Sequence, residues 1–305
     1  MFSLEQILDQ PTDDLSETVL ILRGVQEFLR IPRFRIVLFS SSEVRARWAA
    51  RLRKYLVSTQ WELRDSSLEV ITGILERIGE TDLEFLNEEG LFSEAVTKNQ
   101  DPEPFVRATF LRMLRLLHSA QQQERVLFSR VMTQEAVWSL VQERLQDSEA
   151  IVRRAAVEVF EVLLMAGQES PEAVEMTFSE SFTRHLLDDP DWEVRVRVVR
   201  CLALLASHHP AAFHQAKAGF LLFQLLDESE HQVVLSALDA LEVIKAGREI
   251  PEKQISDFRA RLESTDLRKL RAAHMLATEE ELPQRADFDD IFSHIHVCDN
   301  TLDCY

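Results

Sequence analysis

The sequence predicts an all-α chain built as an α-solenoid, and three observations carry that expectation. Turn-forming residues are scarce: the 305 residues include 7 Gly, 9 Pro and three Asn, where Gly and Pro alone usually make up roughly 12% of a chain. Strands need such residues at their turns, so a sandwich, a barrel or an alternating strand–helix fold is excluded. The strong helix formers Leu, Ala, Glu, Arg and Gln dominate instead. The third observation is an internal repeat.

An acidic turn followed by Val-Arg recurs at Gln100–Arg107, Gln146–Arg153 and Asp188–Arg195, with weaker copies at Ser58–Arg64 and Asp227–Val234. The anchors Leu63, Val106, Val152, Val194 and Val233 lie 43, 46, 42 and 39 residues apart, the spacing of a two-helix unit. After each anchor, apolar residues return at +4, +7, +8 and +11. Phe110, Met113, Leu114 and Leu117 follow Val106, and Val198, Cys201, Leu202 and Leu205 follow Val194. Those offsets line one helical face. Ser67 is the one lapse. The intervening segments read as the second helix of each pair: 84–97, 133–145, 171–186, 211–226 and 251–262. Pro171 and Pro251 suit first-turn positions. Asp101, Asp147 and Asp189, each five residues before an anchor, are placed to accept hydrogen bonds at the next helix start. A helix pair cannot bury its apolar face alone, so neighbouring pairs stack.

The D-x-x-x-x-V-R turn with this register resembles the HEAT repeat over residues 55–277. The resemblance implies that Arg64, Arg107, Arg153 and Arg195 each pair with the turn acid of a neighbouring repeat, a structural role.

The two ends depart from the pattern. Residues 1–54 read as degenerate N-terminal repeat sequence. Within them, residues 23–54 hold nine bases and two acids, including Arg33, Arg35, Arg45, Arg47, Arg51 and Arg53. A solvated basic face and a docking patch for an acidic partner are the two readings. The first segment has no clear partner helix, so the chain is expected to belong to a longer array. Residues 278–305 form an acidic arm, with eight acids and one base from residue 279 onward. Inside it, Phe288, Ile291, Phe292 and Ile295 make an apolar stripe at helical spacing. That stripe either caps the last repeat or docks in a partner's groove.

The chain carries a formal charge of −18, which disfavours phosphate-driven binding to DNA or RNA. No apolar run approaches the roughly 18 residues of a membrane span. Three cysteines, Cys201, Cys298 and Cys304, make no disulfide framework and suit a reducing compartment. Nucleophile-elbow, phosphate-loop, dinucleotide and zinc-protease motifs are absent, so no catalytic residue and no cofactor of its own is expected. His208–His209 reads as a solvated turn rather than a metal site. Cys201 reads as core, and Trp61 and Trp192 as covers for their helix ends.

The peptide Cys298-Asp299-Asn300-Thr301-Leu302-Asp303-Cys304-Tyr305 is unusual. It holds two of the three cysteines and one of the two tyrosines. An inert end, a zinc site from His294, His296, Cys298 and Cys304 within the chain, and insertion into another protein are the three readings. The third is preferred, because thiolate and carboxylate are zinc ligands carried here on a thin strand.

An acidic HEAT array followed by this octet resembles the C-terminal part of the BRAT family of BRCA-associated ATM activators. The resemblance implies a non-enzymatic scaffold of nucleus and cytoplasm in the DNA-damage response. It also implies association with the Integrator complex, through its zinc-dependent metallo-β-lactamase-type RNA endonuclease subunit and the paralogous subunit, and with ATM kinase and a BRCA-type protein. Carried over residue by residue, Cys298–Tyr305 is the candidate plug, with Cys304 and the Tyr305 carboxylate nearest zinc held by the partner. The alternative is a generic adaptor, transport-receptor-like or phosphatase-regulatory-like, binding through its concave face with an inert tail.

Overall fold

The computed structural model describes residues 14–31, 41–76, 86–87, 90–119, 128–166, 171–246 and 256–281. Among these the chain is helical, with no strand. A main row of long helices packs in chain order: α1 (Leu15–Leu29), α3 (Trp61–Leu75), α5 (Pro104–Ser119), α7 (Ala150–Ala166), α10 (Trp192–His208), α13 (His231–Ala246) and α15 (Leu267–Glu281). A flanking row of shorter helices lies against it: α2 (Ser42–Leu56), α4 (Leu91–Thr97), α6 (Gln134–Arg144), α8 (Pro171–Thr177), α9 (Glu180–Leu187), α11 (Pro210–Gln215), α12 (Ala218–Gln224) and α14 (Ser256–Ser264).

The repeat register explains the main row. Val106, Phe110, Met113, Leu114 and Leu117 on α5 are buried, as are Val152, Ala156, Val159, Phe160 and Leu163 on α7. The equivalent residues of α10 and α13 join the same continuous core. Ser67, the lapse in the register, is fully buried and donates its hydroxyl to the Leu63 carbonyl at 2.7 Å, so the helix itself satisfies the polar group. Cys201 is buried at 2% exposure, as expected for its core position.

The flanking row corrects three expectations, and the first is that 84–97 is not one helix, since Gly90 is left-handed (φ 69°) and α4 begins only at Leu91. The segment 171–186 is two helices rather than one: α8 ends at Thr177, and Ser179 caps α9 by accepting from the Phe182 amide. The segment 211–226 is also split. Lys217 takes a left-handed conformation (φ 51°) between α11 and α12, and a 3-10 turn follows at Leu225–Asp227. Apolar periodicity records which residues face the core but not a short non-helical interruption, extended at Ser179 and left-handed at Lys217, so these breaks escape it. Thr133 caps α6, accepting from the Ala136 amide. Pro171 begins α8, whereas Pro251 lies outside the described residues.

Candidate functional site

A polar ladder runs along the turns that start the main-row helices. The Arg64 guanidinium forks onto Asp101 with two bonds of 2.6 Å. Arg107 does the same to Asp147 (2.9 and 2.7 Å), and Arg153 to Asp189 (2.7 and 2.9 Å). Each Arg also donates Nη1 to carbonyls of its own turn, Arg107 to Asp101 and Pro102 at 2.8 and 3.1 Å. Each Asp accepts from the amide two residues on, as Asp101 does from Glu103 at 3.0 Å. A planar, five-donor guanidinium suits this double duty and an ammonium does not. Burial pushes the Asp147 carboxyl up, but hydrogen bonds from Arg107, the Glu149 amide and Arg144 hold it below the usual carboxylate range. Arg64, Arg107 and Arg153 are therefore structural, as the repeat implied, whereas Arg195 comes no nearer than 3.9 Å to the neighbouring acid Glu228 and makes no such fork.

One face of the main row carries a pattern that the sequence reading missed. At offset +6 from the anchors stand Glu69, Arg112, Glu158, Arg200 and Asp239, alternating in sign from helix to helix. Arg23 on α1 and Arg271 on α15 bear on the two ends. Glu158 on α7 is bridged from both sides, by Arg115 at 2.8 Å and Arg197 at 3.0 Å. Arg271 pairs with Asp239 and reaches Glu242 at 3.5 Å. The acids between the exposed arginines are the more sheltered groups. Burial pushes the Asp65, Glu69 and Glu161 carboxyls up. At Asp65 and Glu69, Arg23 and Arg112 offset this only in part, and Arg200, Arg197 and Arg115 do the same at Glu161. Such a face alternates acid and base from helix to helix, with ion pairs at Glu158 and Asp239, rather than forming a trough of one sign. The signal lay in the sequence at a fixed offset, but offset +6 is polar and the apolar register passes over it.

The remaining candidates divide. Burial first, then His208, pushes the His209 imidazole down. No group of three or more His, Cys, Asp or Glu able to hold a metal occurs among the described residues. Trp61 stacks on Phe105 of the next repeat, with ring centroids 5.6 Å apart, so it bridges two units rather than closing its own helix. Trp192 is 40% exposed. Of the basic stretch, Arg45, Arg47, Arg51 and Arg53 lie on α2, while Arg33 and Arg35 fall outside the described residues. The stripe Phe288, Ile291, Phe292 and Ile295 and the octet Cys298–Tyr305 also lie outside them.

A family model described as Integrator complex assembly factor BRAT1 matches residues 48–238, which hold most of the ladder and of the alternating face. The chain belongs to the BRAT1 family. A Danio rerio protein named Integrator complex assembly factor BRAT1 is 28% identical over 151 residues, 48% of this chain and 18% of that protein. This chain thus matches under a fifth of its BRAT1 relative's length. Solved structures resemble it in fold. A designed armadillo repeat protein in complex with the peptide (KR)4 has a TM-score of 0.60 at 19% identity, covering 79% of this chain and 98% of that one. An engineered protein has a TM-score of 0.58 at 18% identity, covering 81% and 98%. At such identity the likeness places the BRAT1-family chain among helical-repeat solenoids and goes no further.

Proposed function

We propose that this chain is a non-catalytic repeat scaffold acting in assembly of the Integrator complex. Its terminal peptide Cys298–Tyr305 enters and occludes the active site of the zinc-dependent metallo-β-lactamase-type RNA endonuclease subunit, with the paralogous subunit alongside. The match of residues 48–238 to the family of Integrator assembly factors carries the reading. The chemistry of the octet supports its finer part. Two thiols and two Asp carboxylates lie within eight residues, and thiolate and carboxylate are zinc ligand types. In this role Cys304 and the Tyr305 carboxylate take coordination positions that the nuclease needs for its attacking water, and the enzyme is held idle until released. The apolar stripe Phe288–Ile295 seats the arm on the partner before the octet enters. The chain brings no cofactor, since the zinc belongs to the nuclease. The reading extends to ATM kinase and a BRCA-type protein as further partners, and to nucleus and cytoplasm as locations.

The test is capture from nuclear extract with the intact chain and with a chain lacking residues 298–305, followed by mass spectrometry and a nuclease assay on the captured enzyme. The expected result is that truncation loses the metallo-β-lactamase-type subunit or restores its activity. Equal capture with equally idle enzyme in both lanes would move the interaction onto the helix faces.

A further inference from the structure

The turn ladder stops short at one seam. Arg195 occupies the position of Arg64, Arg107 and Arg153, and its Nη1 donates to the Asp189 carbonyl at 2.6 Å as theirs do to their own turns. The acid facing it is Glu228, one methylene longer than the Asp of the other rungs. The closest approach, from Arg195 Nε to Glu228 Oε2, is 3.9 Å, and that buried Nε has no hydrogen-bond acceptor. The position that would launch the following rung is Val234.

No second bridge compensates. The seam between α7 and α10 has Arg153–Asp189 at 2.7 Å, Arg197–Glu158 at 3.0 Å and Arg154–Asp191. The seam between α5 and α7 has Arg107–Asp147 at 2.7 Å and Arg115–Glu158 at 2.8 Å. Beyond the gap, Arg271 ties α15 back to Asp239 of α13. Between α10 and α13 no other Arg–carboxylate pair occurs among the described residues. The Ser236 hydroxyl on the Val196 carbonyl at 3.4 Å crosses there, and apolar packing supplies the rest. In the flanking row, Lys217–Glu180 (2.6 Å) and Arg184 to Gln224 (3.5 Å) span the same boundary. Both are solvent-exposed contacts, which hold little.

We propose that the seam between α10 and α13 is a built-in shear plane. The helices from α3 to α10 form one rigid block, locked turn to turn by forked Arg–Asp pairs. The unit from α11 to α15 rolls against it on an apolar face, which resists separation but carries no forked Arg–carboxylate pair to fix the angle. Shear of packed helices is a recognised mode of rearrangement, and low-stability boundaries are where local opening concentrates. The inference stands whether or not the terminal peptide enters an active site.

Hydrogen exchange read by mass spectrometry on the full chain tests it. The first-turn amides of α13 are expected to exchange about tenfold faster, after correction for intrinsic rates, than those of α5, α7 and α10. Glu228→Asp shortens the acid to the length used in the other rungs, and should restore protection at α13 alone. Arg195→Lys should change α13 exchange less than about twofold, whereas Arg107→Lys should speed the α7 first turn by about tenfold. Equal protection at all four helix starts in the unmodified chain would overturn the proposal without reliance on any variant. So would an Arg195→Lys effect at α13 matching the Arg107→Lys effect at α7.

Discussion

Arg107→Ala tests how much the ladder holds. The Arg107 side chain is 11% exposed and that of Asp147 3%. Truncation removes two bonds to the carboxylate and two to the Asp101 and Pro102 carbonyls. Breaking a buried pair usually costs about 3–5 kcal/mol, because the remaining charge is stranded. Here Asp147 keeps Arg144 at 3.1 Å and the Glu149 amide at 3.1 Å, so the expected loss is about 2–4 kcal/mol. Urea unfolding followed by circular dichroism at pH 7 measures it, with Arg107→Lys expected to recover less than half. The pH dependence gives a second reading. Asp147 has its carboxyl held below the ordinary value in the folded chain, so the pair's contribution is present above the unfolded pKa of about 4 and lost as pH falls through the folded one. The cost of Arg107→Ala should therefore shrink in acid. A loss below about 1 kcal/mol at pH 7, or one that grows in acid, would refute the buried-pair argument.

Three further outcomes follow from particular contacts. Gly219→Ala should destabilise by about 1–2 kcal/mol in the same urea assay, although alanine favours helix, because the added Cβ would lie 2.5 Å from Cδ2 of the Phe258 ring. Asp65, Glu69 and Glu161 have carboxyls pushed up by burial, so the folded state takes up protons at higher pH than the unfolded one. Stability should thus rise slightly from pH 7 toward about 5, then fall below about 4 as Asp147 and Asp191 lose their arginine-held charge, which thermal melts across pH would check. Cys201 is buried, and burial pushes its thiol well up. It should resist alkylation by iodoacetamide in native buffer and react in urea, as read by peptide mass spectrometry.

The apolar register Val106, Phe110, Met113, Leu114, Leu117 and its four copies told which residues are core, because burial depends on a helical period that local sequence carries. The Arg–Asp rungs were equally legible, since they follow from the same turn at a fixed spacing. The breaks at Ser179 and Lys217 were not, because a single non-helical residue, extended at Ser179 and left-handed at Lys217, leaves the period on either side intact. The alternating face was written at offset +6 and missed, because a lone polar residue has no meaning until the helix beside it is known.

The sequence alone determined the class of the array, its unit length, its core and the family to which it belongs. Each of these is a local pattern repeated, or a peptide of unusual composition. Only the tertiary structure decided that Glu158 is shared by Arg115 and Arg197, that Trp61 bridges to Phe105, and that the rung at Arg195 fails to close. Those are contacts between residues some 30 to 45 positions apart. They depend on the distance and angle at which one repeat stacks on the next, and a difference of one methylene in the facing acid is enough to separate a locked seam from a loose one.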